Sequence, residues 1–419
     1  MKNKRNDMQI VLASDANYLP FAYVTIYSVL QQRKERYFIY FSIMVPKNTT
    51  PISLDEAWQF EDYSISYFEV PDEFFGNLEM SISHITKPTY YRLIISRLLN
   101  EDITRCLYLD TDIIVRDDLI QLYEIDFGDN YIIAGKCSEL IANNERQKKY
   151  AAYLEIPDTF SYVNAGVILF NLSAIRKDKI TNYFLESSKK NWICQDQDVI
   201  NSCCYGKTSI FSYRYNIYSF AFGVNSKWLE CTLKKEEINM AMKNPAIIHY
   251  ATKEAKPWFN LMGSQVNLWW NVAKLALSAD MYKSFYQNAI FQTNLIEIPY
   301  YIGEIERLDK LIVFGYGIAG KEFLLYMKQI NPTCNIIIFD NKIVESNSGE
   351  MKVMKPIYLN DDKIRILVTV QKNQEEIVKQ LVELGYCKEQ IIKYVQGDMG
   401  KWFSIAPEYR ALYIEKYDS

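Results

Sequence analysis

Apolar positions near the start of the chain switch between two periods. Residues 9–14 form a short apolar run that reads as a buried strand. Residues 21–33 repeat apolar side chains at helical spacing, and residues 37–45 return to a strand pattern. Strands joined by helical crossovers define an α/β fold, in which ligands gather at the carboxyl ends of the strands. The same alternation predicts a helix over 89–99, a strand over 105–109, and a strand over 167–171 with a helix from about 173. An amphipathic helix is expected over 262–286, carrying Trp269 and Trp270. A second unit follows: strand 310–314, glycine turn 315–320, helix 321–329, strand 336–339 and a polar loop through 355. Strand 364–370, helix 374–384 and a last short strand over 391–394 complete it. Two domains are expected, residues 1–295 and 296–419, although no Gly/Ser-rich linker marks the join.

Composition adds exclusions. With 419 residues, 49% hydrophobic and 23% charged, the chain has material for real cores, so whole-chain disorder and coiled coil are ruled out. A formal net charge of −4 gives no basic bulk for nucleic acid. The 33 Tyr, 21 Phe and 7 Trp suit carbohydrate or membrane-interface contacts as well as cores. No secretory signal and no apolar run near the ~20 residues needed to cross a bilayer is visible. A cytoplasmic protein with reduced thiols is expected, since the eight cysteines form no C-x-x-C pair. Only two histidines are present, which excludes a polyhistidine metal site.

The segment Leu107-Tyr108-Leu109-Asp110-Thr111-Asp112 delivers two carboxylates as an apolar strand ends. In an extended chain that i, i+2 spacing puts both on one face, where they repel unless a divalent cation lies between them. A solvated surface turn is the alternative, weakened by the apolar Ile113-Ile114-Val115 that follows. His249 ends another apolar run and precedes Lys256, so an Asp/Asp/His site with a nearby phosphate-binding cation is conceivable. A structural hydrogen-bonding histidine fits the same pattern.

Six segments taken in order carry a resemblance: Ala13-Ser14-Asp15-Ala16-Asn17-Tyr18, Thr89-Tyr90-Tyr91-Arg92-Leu93, Tyr108-Leu109-Asp110-Thr111-Asp112, Asn164-Ala165-Gly166-Val167, Gln195-Asp196-Gln197-Asp198, and His249-Tyr250 with Lys256-Pro257-Trp258. Over about residues 8–260 the chain resembles retaining glycosyltransferase family 8, which includes bacterial lipopolysaccharide galactosyl- and glucosyltransferases and glycogenin. The resemblance implies a GT-A fold, a UDP-sugar donor and Mn²⁺, with Mg²⁺ as an alternative. It implies Asp110, Asp112 and His249 as metal ligands. Ala13, Asp15, Asn17, Arg92, Thr111 and Lys256 would contact the donor, and Asn164 and Asp196 would face its sugar. It sets Gln197 beside the anomeric carbon, with Asp198 as a less favoured nucleophile. Since an amide is a poor nucleophile, same-face displacement with retention is preferred. Taken alone, Asp15 reads equally as a helix cap, Arg92 as an exposed helix residue, and 195–198 as an ordinary acidic helix start. One departure stands out. The family usually has its lysine six positions after the histidine, with a glycine between; here the two are seven apart without one.

The implied partners are a UDP-hexose and a glycan or glycolipid acceptor, with peripheral contact at the inner face of the plasma membrane. Leu268-Trp269-Trp270 and Lys401-Trp402-Phe403 are candidate contacts there, and core packing is the competing use. The C-terminal module resembles Rossmann-like nucleotide-binding modules. Phe314-Gly315-Tyr316-Gly317-Ile318-Ala319-Gly320 opens a helix after a strand, and Asp340 ends the next strand. At half the size of a dinucleotide domain, it favours a docking or regulatory role over NAD(P) binding. An NAD(P)-dependent sugar oxidoreductase, a non-catalytic glycan- or membrane-binding scaffold and tyrosine self-glycosylation are the competing functions.

Overall fold

The computed structural model describes residues 7–34, 37–52, 58–75, 87–137, 144–222, 233–296, 299–342, 346–348, 351–395, 397–407 and 409–410. The chain divides into two compact units, the first ending at residue 294 and the second beginning at 295 and taking in 262–264.

The strands of the first unit are β1 (Met8–Ala13), β2 (Ile39–Pro46), β3 (Tyr63–Val70), β4 (Arg105–Leu109), β5 (Ile113–Val115), β6 (Ile132–Lys136), β7 (Val163–Asn171), β8 (Thr208–Ile210), β9 (Ile217–Tyr218) and β10 (Ile247–His249). Among the described residues they form a seven-stranded sheet of order β3-β2-β1-β4-β7-β6-β8 and a small sheet of order β5-β10-β9. β3, β2, β1 and β4 run parallel, whereas β7 is antiparallel to both β4 and β6. β1 is buried at every position, as its mostly apolar run requires of a parallel strand covered on both faces, and its one polar side chain, Gln9, donates to the Ser42 hydroxyl at 2.9 Å. The first helix, Leu19–Gln32, packs against β5 and the helix Val266–Ala276, which buries its residues nearly all round rather than along one face.

Two predicted helices have a different form. Over 89–99 the chain is a 3₁₀ helix, Lys87–Ile94, followed by one α turn, Ile95–Leu98. The three-residue period stacks Thr89 over Arg92, and the Arg92 Nε donates to the Thr89 carbonyl at 2.9 Å. The stretch 262–286 contains two helices, Val266–Ala276 and Ala279–Asn294. Leu277 is extended between them, and the Ser278 hydroxyl accepts the Met281 N–H at the start of the second.

Trp269 and Trp270 are core residues. Trp258 stacks on Phe21 at 3.9 Å and meets Trp269 at 5.2 Å, while Trp270 packs edge-on against Tyr282 and Tyr286. Trp402 is likewise fully buried, with its indole N–H on Glu306. These indoles therefore present no membrane contact. No helix among the described residues is long and apolar enough to cross a membrane.

The second unit contains β11 (Lys310–Phe314), β12 (Asn335–Phe339), β13 (Ser346–Ser348), β14 (Met351–Met354), β15 (Arg365–Val368) and β16 (Ile391–Lys393). Their order is β13-β14-β12-β11-β15-β16, parallel except for β13, so the expected polar loop before residue 355 contains a strand pair. Gly315 has φ +109°, and a Cβ on Gly320 would lie 1.9 Å from the Gly315 carbonyl oxygen. Asp340 fastens this turn: one carboxylate oxygen accepts Tyr316 N–H and the other Lys342 N–H, each at 2.8 Å. The described cysteines are free thiols.

Candidate active site

The site lies where β1, β4 and β7 end or begin beside the small sheet. β4 stops at Leu109, and the Asp110 N–H donates to the Gly166 carbonyl of β7 at 2.8 Å. Three residues after Asp110 the chain enters β5, whose antiparallel register pairs Ile113 with His249. The Asp112 carbonyl accepts Tyr250 N–H at 2.9 Å, clipping the aspartate turn to β10. Strand pairing thus brings His249 to residues well over a hundred positions away in sequence.

The ligand atoms of Asp110, Asp112 and His249 lie within 4.8 Å of one another. His249 Nε2 is 3.2 Å from Asp112 Oδ1 and 3.8 Å from Asp110 Oδ2. The imidazole and Asp112 are buried, and Asp112 Oδ1 accepts no hydrogen bond. His249 Nδ1 lies 2.9 Å from the Asn216 amide oxygen, which only accepts, so the proton of the neutral ring sits on Nδ1. The Nε2 lone pair then faces two carboxylates, a donor set that fits a divalent cation of mixed nitrogen and oxygen preference. Gly166 permits this approach, because a Cβ there would lie 2.3 Å from His249 Cε1 and 2.8 Å from Asp110 Oδ2.

Two cations hold the acids. The Lys256 ammonium pairs with Asp112 Oδ2. Burial pushes the Asp112 carboxyl up, but the Lys256 ammonium against it outweighs burial and holds the group well below the usual carboxylate range. The seven-residue spacing does not carry Lys256 away: a 3₁₀ turn, Lys253–Ala255, capped by the Thr252 hydroxyl, takes up the chain before it. Arg92 is buried, not an exposed helix residue. Its guanidinium pairs with Asp110 at 2.8 Å and Asp196 at 3.0 Å, reaches the Ala165 carbonyl, and lies 4.3 Å over the Tyr108 ring.

These groups line a cleft of about 470 Å³, together with Ala13, Asp15, Thr111, Asn164, Gly166, Gln197, Tyr18 and Tyr218. Two expected site residues are not on its wall. Asn17 is exposed, and its N–H donates to the Asp15 carboxylate, which also accepts Tyr18 N–H and so caps the turn into the first helix. Asp198 is fully buried behind Gln197, accepting from the Tyr150 and Tyr162 hydroxyls and Cys194 N–H. A carboxylate so enclosed is badly placed to attack a sugar. Sequence reasoning missed Asn216 and Tyr162, which hold His249 and Gln197; each lies beside a strand residue without a motif, and only the tertiary fold reveals their partners.

Burial raises Asp196 to about 6, against the opposing pull of Arg92. The folded chain therefore keeps this proton to higher pH than the unfolded chain, whose value is near 3.8. This group's contribution to stability is full below about pH 4 and is lost as pH rises toward 6. In Asp196→Asn that component is absent. The variant's unfolding free energy, relative to wild type, should rise by about 2 kcal/mol between pH 4 and 7 in urea titrations.

A parallel-rich central sheet with an Asp-x-Asp turn and a histidine at its strand ends matches the GT-A fold of glycosyltransferases. Galactosyltransferase LgtC, crystallised with donor and acceptor sugar analogs, superimposes with a TM-score of 0.53 and 27% identity, over 66% of this chain and all of that one. Residues 9–262 match the family model of glycosyl transferase family 8, and the chain belongs to that family. Among curated relatives, general stress protein A of Bacillus subtilis is 28% identical over 261 residues, covering 60% of this chain and 87% of its own. The lipopolysaccharide 1,3-galactosyltransferase of Salmonella typhimurium is 29% identical over 186 residues, 42% of this chain and 51% of its own.

Proposed function

We propose that the protein is a metal-dependent, retaining hexosyltransferase. It would move glucose or galactose from a UDP-sugar to a hydroxyl of a surface glycan or lipid-linked acceptor. The observation that carries this reading is the Asp110–Asp112–His249 cluster, with its unpaired buried oxygen, inside a cleft also lined by Asp196 and Gln197. A divalent cation, Mn²⁺ by donor type or Mg²⁺, held by those three side chains would supply positive charge opposite the departing diphosphate.

The remaining work falls to the chain. Lys256, paired with Asp112, would be the cation for the leaving phosphate, and Ala13, Asp15 and Thr111 would line the nucleotide end. Asn164 and Asp196 face the sugar, Asp196 as an acceptor of its hydroxyls. Gln197 supports same-face displacement over a covalent intermediate: its Oε1 already accepts from Asn164 and from Ala165 N–H, so no free oxygen is aimed at an anomeric carbon. The incoming hydroxyl would then pass its proton to the departing phosphate oxygen, and configuration is retained.

The test is UDP release across a panel of UDP-sugars with Mn²⁺, with Mg²⁺ and with EDTA. Release from UDP-glucose or UDP-galactose that EDTA abolishes is the expected result; undiminished turnover in EDTA would overturn the metal reading. Gly166→Ala checks the geometry. The added methyl must push the imidazole from the carboxylates, and Mn²⁺ affinity should fall 10-fold or more, on the order of the loss when a ligand's support is disturbed.

A further inference from the structure

The orientation of His249 rests on a line of side chains that crosses the floor of the cleft. Its direction can be read without ambiguity, because backbone N–H groups, which only donate, fix two of the amides. Gly166 N–H donates to the Asn164 side chain at 2.9 Å, so that atom is the oxygen. The Asn216 side chain approaches the same oxygen at 2.9 Å and must do so with its NH₂. Its oxygen is thereby turned to His249 Nδ1. Ala165 N–H likewise identifies Gln197 Oε1, which also accepts the Asn164 NH₂ at 3.0 Å. The Gln197 NH₂ donates to the Tyr162 hydroxyl at 3.0 Å, and that hydroxyl donates to Asp198 at 2.6 Å.

Every donor therefore points the same way, from His249 through Asn216, Asn164, Gln197 and Tyr162 to a buried carboxylate. Asn216, Tyr162, Asp198 and His249 are all at most 3% exposed, while Asn164 and Gln197 are half-buried in the cleft wall, so water competes least for the bonds at the two ends of the line. Bonds aligned head to tail polarise one another, and a terminal anion strengthens each acceptor along the line.

We propose that Asn216 is a positioning residue that locks His249 in its Nδ1–H tautomer, and that the relay ending at Asp198 sets the orientation of Asn216. With Nδ1 protonated, Nε2 offers its lone pair toward Asp110 and Asp112. A reversed Asn216 would present NH₂ to the ring, move the proton to Nε2 and cancel the histidine as a ligand. The inference rests on the proposed metal role of His249, yet the tautomer can be measured with no metal present. It also gives position 197 a reason to be an amide: the relay needs one accepting and one donating atom there, and glutamate lacks the donor.

The experiment is long-range ¹H–¹⁵N spectroscopy of histidine-labelled full-length protein, with His84→Gln to assign the two rings. The same samples are then titrated with MnCl₂ alone, and free Mn²⁺ is followed by electron paramagnetic resonance. Wild type should show a protonated Nδ1 and a bare Nε2. Asn216→Leu should show mixed tautomers and Mn²⁺ binding weakened about 10-fold. Asn216→Asp, which keeps an acceptor for Nδ1–H, should retain the tautomer and most of the affinity. Asn164→Ala, which frees Asn216 to turn, should shift the tautomer toward Asn216→Leu. A proton on Nε2 in wild type, or an unchanged tautomer and affinity in folded Asn216→Leu, overturns the proposal. Should wild type show the Nδ1–H tautomer but bind no Mn²⁺, the metal reading of the cluster fails instead.

Discussion

Asp112→Asn is expected to lower UDP release by roughly 10³-fold, the scale of losing a charge-stabilising group aimed at a leaving oxygen. Asp112 has two tasks, one on each oxygen. Oδ2 balances the Lys256 ammonium, while Oδ1 lies 3.2 Å from the histidine nitrogen with no hydrogen bond of its own. An amide removes the charge from both. It also leaves Lys256 without its counterion in a largely buried place, so the variant should melt at lower temperature. The double variant Asp112→Asn/Lys256→Met separates the two effects. Dropping the stranded cation should recover most of the lost melting temperature and none of the turnover. If Asp112→Asn kept a tenth or more of wild-type activity, Asp112 would not be a ligand of the catalytic cation.

The strands that build this site were legible from apolar runs such as Ile10–Ala13, Cys106–Leu109 and Val167–Phe170. Residues 105–109 form β4 as expected, and the aspartates follow at its end. The pairing that joins those aspartates to His249 was not legible from periodicity. It depends on β5 and β10, strands of three residues each, too short to show a period, and only the ordered motifs suggested that the three side chains meet. Arg92 was placed at the site by its motif and not by periodicity. A charged residue between Tyr91 and Leu93 reads as solvent-facing on an α-helix, but the 3₁₀ geometry turns it inward over Thr89, where two acids wait. Asn17 fell the other way: its place in a motif suggested ligand contact, but the turn needs only its N–H. The amides of the relay escaped notice because asparagine and glutamine carry no signature until the neighbours that orient them are known.

Arg92→Met should cost about 3–5 kcal/mol of stability in the first unit, the usual range when one member of a buried charge cluster is removed. Asp110 and Asp196 would be left facing each other without the guanidinium that now bonds both. Lysine is a poor substitute. Its single ammonium cannot bond Asp110, Asp196, and the Thr89 and Ala165 carbonyls together, so Arg92→Lys should recover less than half of the loss. Without its main cation, Asp196 should hold its proton above its present value of about 6. Two roles for Arg92 then make different demands on the data. If the guanidinium served the donor by direct contact, Arg92→Lys would mainly raise KM and leave urea unfolding unchanged. The bonds it already makes favour the other outcome, in which stability and kcat fall together because Asp110 is no longer held toward His249. Adding Asp196→Asn to Arg92→Met removes one of the stranded anions. That double variant should regain part of the stability, while Asp110 stays unsupported and turnover stays low.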